Sequence, residues 1–386
     1  MIRLSKISFM MGLLLTLCGE VRSETQLARP DVLGDAEVIA TIKGAMPTGI
    51  TVADSGRIFI NYPRWGDNVI YTVAEVIDGN PVPYPNRAIN NYKAGKDPSK
   101  HLVAAQSVVV DPSGQKLWVL DTGSVESNPV GFGGPKLVAI NLSTNQVVQT
   151  ILFAQDVATP TTYLNDVRFD LSRGESGIAF ITDSSAEGGL IVVDLASGKS
   201  RRRLTGHASV MSDPTFVPLV EGQALKLRQV DEESKPFRVG SDGIAISPDG
   251  ETLYYRSLTS RHLYSIPVDD LIDQSIRDQD LALKIRDYGQ ISGASDGLES
   301  DSKGRIYLTD YEHNAIHRLY PGEDLETLMV DPRALWPDTL SLANDGYLYF
   351  TANQLHRRAI FHQGIDKRVE PYGLLRIKVN AKPIRF

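Results

Sequence analysis

The feature that most restricts this chain is a motif that returns six times. Each copy has a polar or small residue, alternating apolar residues, an Asp- or Gly-containing turn and a second apolar strand. Copies begin at Thr48, Gln106, Asn165, Asp242, Asp296 and Asp338, with steps of 58, 59, 77, 54 and 42 residues. The fourth, Asp242-Gly-Ile-Ala-Ile-Ser-Pro-Asp-Gly-Glu-Thr-Leu-Tyr-Tyr255, shows the pattern in full. Asp, Ser, Pro and Gly at the turns make each copy a β-hairpin. A third apolar strand follows each hairpin, at 68–73, 136–140, 189–194, 262–266, 315–319 and 374–379, and a fourth follows in four units, as at 147–152. Six units of about four short strands cannot bury both faces alone, so they stack radially and close into a ring. The pattern therefore predicts an all-β, six-bladed β-propeller with an axial channel. Residues 37–42 precede the first hairpin without one of their own, and are expected to supply the outermost strand of the last blade. No long linker or charge run divides the chain into two β domains.

Four segments read as long loops: 78–101, 125–135, 211–239 and 355–371. The last carries Arg357, Arg358, Lys367 and Arg368, a basic loop in a chain of formal net charge −7. Such loops either build a ligand entrance or are solvated surface. The acidic balance argues against nucleic acid, which needs clustered Lys and Arg. The 42% hydrophobic content and Gly and Pro usage exclude a disordered or collagen-like chain.

Arg3 and Lys6 precede an apolar run, Ile7 to Leu17, and Val21-Arg22-Ser23 offers a cleavage point before Glu24. That layout predicts a signal peptide over 1–23 and a secreted or periplasmic protein. The run is too short for a membrane span. Cys18 is the sole cysteine, so residues 24–386, read as a single propeller domain, form no disulfide or thiolate metal site.

In a propeller the innermost strands line the channel and their first residues converge at one mouth. Thr48, Gln106, Asn165 with Asp166, Asp242, Asp296 and Asp338 are therefore the candidate ligand-binding residues. Bare carboxylates gathered there repel one another and demand a counter-charge. An oxygen-only set suits Ca²⁺ or another divalent cation, and an organic ammonium suits it equally, with aromatic side chains from the loops. Against this stands capping of each turn by its own Asp. The chain has no Gly-x-Ser-x-Gly elbow, phosphate-binding Gly-rich loop or His-Glu-x-x-His. His262, His313 and His317 fall in turns and strands and read as structural, and Trp118 as packing between blades.

Several stretches resemble the insect yellow and major royal jelly protein family. They are Val82-Pro-Tyr-Pro-Asn86, Leu117-Trp-Val-Leu-Asp-Thr-Gly123, Tyr163-Leu-Asn-Asp-Val167, Gly188-Gly-Leu-Ile-Val-Val-Asp194 and Gly243-Ile-Ala-Ile-Ser-Pro-Asp-Gly250. The resemblance implies a secreted six-bladed fold and small-amine binding in the central channel. The lack of cysteine after residue 18 departs from insect members and suggests a distant, bacterial-type relative. A wider resemblance, to gluconolactonase and regucalcin propellers, implies an axial divalent metal. Its ligands would fall on Asn165, Asp242 (where that family has Asn) and Asp296, with Asp296 as the carboxylate assigned to catalysis. That family's first-blade glutamate would fall on Thr48, which cannot replace it. The sequence thus leaves three readings: an exported binder of a small cationic or metal-chelating ligand, a metal-dependent lactonase, and a non-catalytic scaffold.

Overall fold

The structure, a computed structural model, describes residues 33–386, and the signal peptide expected at 1–23 lies outside them. Six four-stranded antiparallel sheets form the blades of a β-propeller. Their innermost strands are Ile50–Val52, Ala105–Val110, Leu164–Asp170, Ser241–Ile246, Leu298–Ser300 and Pro337–Leu342. Blades 1 to 6 are numbered by these strands. Among the described residues no helix is long and apolar enough to cross a membrane.

Glu37–Ile42 is the outermost strand of blade 6, antiparallel to Tyr372–Lys378, as its isolated position in the sequence predicts. Arg376 holds this closure: its guanidinium donates to Glu37 and lies 4.1 Å from the ring centre of Tyr347. Between blades the core is apolar and aromatic, as where Trp118 of blade 2 stacks on Phe169 of blade 3 with centroids 5.3 Å apart.

Blade 1 departs from the sequence reading. Its third strand is Val73–Ile77 rather than 68–73, and Asn80–Pro83 inside the expected 78–101 loop is its fourth strand. The cause is the Asp78-Gly79 turn, whose two residues have φ of 49° and 77°, the left-handed pair of a tight hairpin. Ile77 therefore pairs with Asn80. Buried Asn90 accepts from the backbone N–H groups of Thr72 and Val73, which ends the preceding loop there.

The 211–239 segment carries two small hairpins, Leu219–Val220 with Gln223–Ala224 and Lys226–Leu227 with Lys235–Pro236. The 355–371 segment carries two 3-10 turns, Leu355–Arg357 and Ala359–Phe361.

Candidate functional site

The inner strands do not begin as regular ladders. In blades 2, 3, 4 and 6 the register with the second strand slips at the first residues: between Ala105 and Ser107, Leu164 and Val167, Ser241 and Ile244, and Pro337 and Leu340. Each slip contains a candidate site position. A β-bulge re-aims a side chain and leaves backbone groups out of the ladder. A threonine of the second strand bonds the backbone at the start of the inner strand in blade 3, and likewise in blade 5, where the register does not slip. Thr309 Oγ1 accepts from the N–H of Asp296 and of Gly297, and Thr182 Oγ1 from that of Asp166. Glycine follows the site residue where neighbouring strands touch: a Cβ on Gly243 would lie 2.6 Å from the Asp296 carbonyl oxygen.

Five of the seven predicted positions line one cavity of about 270 Å³: Gln106, Asn165, Asp242, Asp296 and Asp338. Two do not. Thr48 is buried and tied into the blade walls, its Oγ1 accepting from Asn61 Nδ2 of its own blade and its carbonyl from Thr351 of blade 6. Asp166 is turned to Arg168, Nη1 to Oδ1 3.3 Å, and accepts from Ser107 Oγ. Arg168 and Glu299 line a smaller cavity of about 80 Å³ among later residues of the same inner strands, with residues 383–386 against it.

Asp296 is the middle of the acidic group, within hydrogen-bonding reach of Asp242 and Asp338. Its Oδ2 accepts from Trp336 Nε1 at 2.7 Å, and Trp336 is stacked between Tyr311 and His356. Asp338 accepts from Asn353 Nδ2 at 2.7 Å, and Asp242 from Ser184 Oγ at 3.2 Å. Among the described residues none of these three carboxyl groups is in an ion pair with Lys, Arg or His. Burial pushes Asp242 and Asp338 well above the usual carboxylate range, with the neighbouring acids adding to it. Burial raises Asp296 to about 6, against the stabilising bond from Trp336. The group therefore retains protons at pH values where isolated aspartates have lost them.

The opposite wall was not foreseen in the sequence. Tyr163 donates to Gln106 Oε1 at 2.9 Å and accepts from Trp65 Nε1 at 2.6 Å. Arg358 lies 5.0 Å from the Trp65 ring centre and donates to the Trp65 carbonyl. Leu227, Phe237, Ile360 and Phe361 from the two long loops also line the cavity. Tyr163 sits two residues before Asn165, a legible place, whereas Trp65 and Arg358 lie in loops with no period.

The three histidines read as structural in the sequence each pair with a nearby aspartate. His313 and His317 both reach the Asp310 carboxylate, and His262 pairs with Asp287. Among the described residues no group of three or more His, Cys, Asp or Glu is arranged to hold a metal. A mixed amide–carboxylate set is a different case. Asn165 Nδ2 donates to Ser184 Oγ, which leaves its carbonyl oxygen as a donor beside Asp242 and Asp296.

A family model described as "Major royal jelly protein" matches residues 103–382. Major royal jelly protein 1 of Apis mellifera is 27% identical over 248 residues, 57% of this chain and 53% of its own. Major royal jelly protein 3 of the same organism is 26% identical over 269 residues, 64% and 45% of the two chains. The chain spans about half the length of the curated relatives it matches. Among solved structures, a calcium-binding regucalcin of Agrobacterium tumefaciens superposes over 90% of this chain and 95% of its own, with 14% identity and a TM-score of 0.52. A gluconolactonase of Xanthomonas campestris does so over 90% and 91%, with 13% identity and a TM-score of 0.52. At such identities these two share the fold.

Proposed function

The chain belongs to the major royal jelly protein family, and we propose that it is an exported propeller that binds a small organic cation at the mouth of its channel. One observation carries this reading: three buried carboxyl groups line a single cavity and, among the described residues, none is in an ion pair with a protein cation. An ammonium group supplies the missing charge. The rest of the ligand lies against Trp65, Tyr163, Phe237 and Phe361, where cation–π attraction and apolar contact add to the electrostatic term. A cavity of about 270 Å³ suits a molecule of one ring and a short chain.

The test is calorimetric titration of metal-stripped protein with an arylethylamine and with the corresponding neutral alcohol. Saturable binding of the amine, absent for the alcohol and lost in Asp296→Ala, is expected. Equal binding of amine and alcohol sinks the reading.

A second reading has one observation in its favour, the free carbonyl oxygen of Asn165 beside Asp242 and Asp296. Those three residues would hold Ca²⁺ or a similar hard cation, which when bound supplies polarisation of an ester or lactone carbonyl. Asp296 then stands where a carboxylate could also accept a proton, and Thr48 adds no charge to the set. Retention of stoichiometric calcium after dialysis, together with lactone hydrolysis abolished in Asp296→Ala, favours this reading over the first.

A further inference from the structure

The two loops over the axial cavity are locked to each other. Arg228 donates its backbone N–H to the Ile360 carbonyl, and Gln363 donates to the Arg228 carbonyl, so the 211–239 and 355–371 segments act as one roof. Leu227, Arg358, Ile360 and Phe361 of this roof face the axial cavity. Their sequence neighbours Arg228, His356, Arg357, His362 and Lys367 line a separate cavity of about 280 Å³, together with Glu221.

The charges in this second cavity do not balance internally. Arg357 is spent on Glu221, with Nε to Oε2 at 3.0 Å and a second bond to Oε1. Arg228 is not: its guanidinium donates to the carbonyl oxygens of Ala224 and Phe361, and to no carboxylate. Lys367 is exposed, and its ammonium has no ion pair among the described residues. Two free cations therefore border one hollow in a chain of net charge −7.

His356 adds a more specific demand. It is 3% exposed, and its Nε2 lies 3.0 Å from Glu221 Oε2. A carboxylate only accepts, so Nε2 carries the proton and Nδ1 of the neutral ring offers a lone pair. That Nδ1 is buried without a hydrogen-bond partner. Burial holds the imidazole to about 4, so the ring is neutral at pH 7. A buried acceptor left unmet destabilises the fold, and a ligand that donates to it removes that penalty.

We propose that this cavity binds a small oxyanion bearing its own hydroxyl, of the hydrogenphosphate type. Its charged oxygens meet Arg228 and Lys367, and its P–O–H donates to His356 Nδ1. Sulfate matches hydrogenphosphate in size and shape but carries no proton at pH 7, so the two ions separate the charge from the donor. This site stands apart from the axial reading and does not depend on it.

The test is titration of the full chain at pH 7 and constant ionic strength with inorganic phosphate and with sulfate. Expected are saturable phosphate binding, at least tenfold tighter than sulfate, and a tenfold or greater loss in Lys367→Gln and in Arg228→Gln. Arg228 also braces the roof, so Lys367→Gln keeps the test readable if Arg228→Gln misfolds. Lys303→Gln, which removes an exposed charge elsewhere, is expected to bind phosphate as the parent does. Phosphate that fails to saturate, equal affinity for the two ions, or an equal loss in Lys303→Gln overturns the proposal.

Discussion

Replacing Asp296 by Asn separates a binding site from a merely structural cluster, because the two make opposite predictions for stability and affinity. The carboxyl titrates near 3.8 when solvated and is raised to about 6 in the folded chain. An acid whose folded pKa lies above its unfolded one adds stability below the unfolded value, and that stability is lost as pH rises through the folded value. Two units correspond to about 3 kcal/mol of folded-state cost, fully present above pH 6 and about half developed at pH 5. Asn keeps the shape and the oxygen that accepts from Trp336 Nε1, but never ionises. The variant should therefore be more stable than the parent by up to about 3 kcal/mol at pH 7.5, and by about half that at pH 5. Removing one partner of a buried charge pair costs about 2–5 kcal/mol in binding. Amine affinity should accordingly fall at least about thirtyfold. Urea unfolding of EDTA-treated protein at both pH values and calorimetry with the amine measure the two effects. A variant that is less stable at pH 7.5, or that binds the amine as well as the parent does, refutes the reasoning.

Three further outcomes follow from the geometry. Gly243→Ala places a Cβ 2.6 Å from the Asp296 carbonyl oxygen and 2.9 Å from Leu298 Cγ. It should cost about 1–3 kcal/mol in urea unfolding and weaken amine binding, because blades 4 and 5 must part at the mouth. Starting the chain at residue 43 removes the strand paired with Tyr372–Lys378 and bares that edge. A lower Tm and concentration-dependent association by light scattering are expected. His356, held to about 4 by burial, is neutral when folded and protonated when unfolded between pH 4 and 6.5. Its contribution is complete above pH 6.5 and lost as pH falls towards 4, by up to about 3 kcal/mol. In phosphate-free buffer, His356→Phe should flatten that part of the stability profile.

The ring was legible because hairpin turns write themselves in Asp, Ser, Pro and Gly, and the motif recurred often enough to be counted. Its closure was legible because residues 37–42 had no partner nearby. Blade 1 was misplaced by weighing the apolar run at 68–73 above the Asp78-Gly79 dipeptide, which fixes the hairpin through backbone geometry. The acidic positions could be found from blade equivalence, but not which of two neighbours faces the mouth. At Asn165 and Asp166 the bulge breaks the two-residue alternation. Arg168, two residues on and on the same face, then claims Asp166. Thr182, Thr309 and Thr351 occupy matching places in their second strands, so the residues that secure the inner-strand starts were visible as a repeat. Trp65 and Arg358 were not, since loop residues that meet only in the folded ring leave no periodic trace.

The order of the blades also decides how a ligand must sit. Asp242, Asp296 and Asp338 belong to blades 4, 5 and 6, which are contiguous, while blades 2 and 3 present Gln106 and Asn165 at the matching places and Thr48 of blade 1 lies outside the cavity. Tyr163 comes from the start of blade 3 and Trp65 from the loop after the second strand of blade 1. One half of the mouth is thus acidic, and the other is aromatic and carries the Arg358 guanidinium over the Trp65 ring. An evenly charged ring would favour a bare ion on the axis, equidistant from its donors. A polarised one favours an elongated molecule, with its charge against blades 4 to 6 and its apolar body across the channel. In blades 3 and 5 threonine hydroxyls of the second strand already hold the backbone of the site residues. The side chain at those two positions can therefore set the charge of the mouth without changing how the blades pack, and the uneven spread of charge over the five cavity-lining positions favours an aromatic ammonium over a free metal ion.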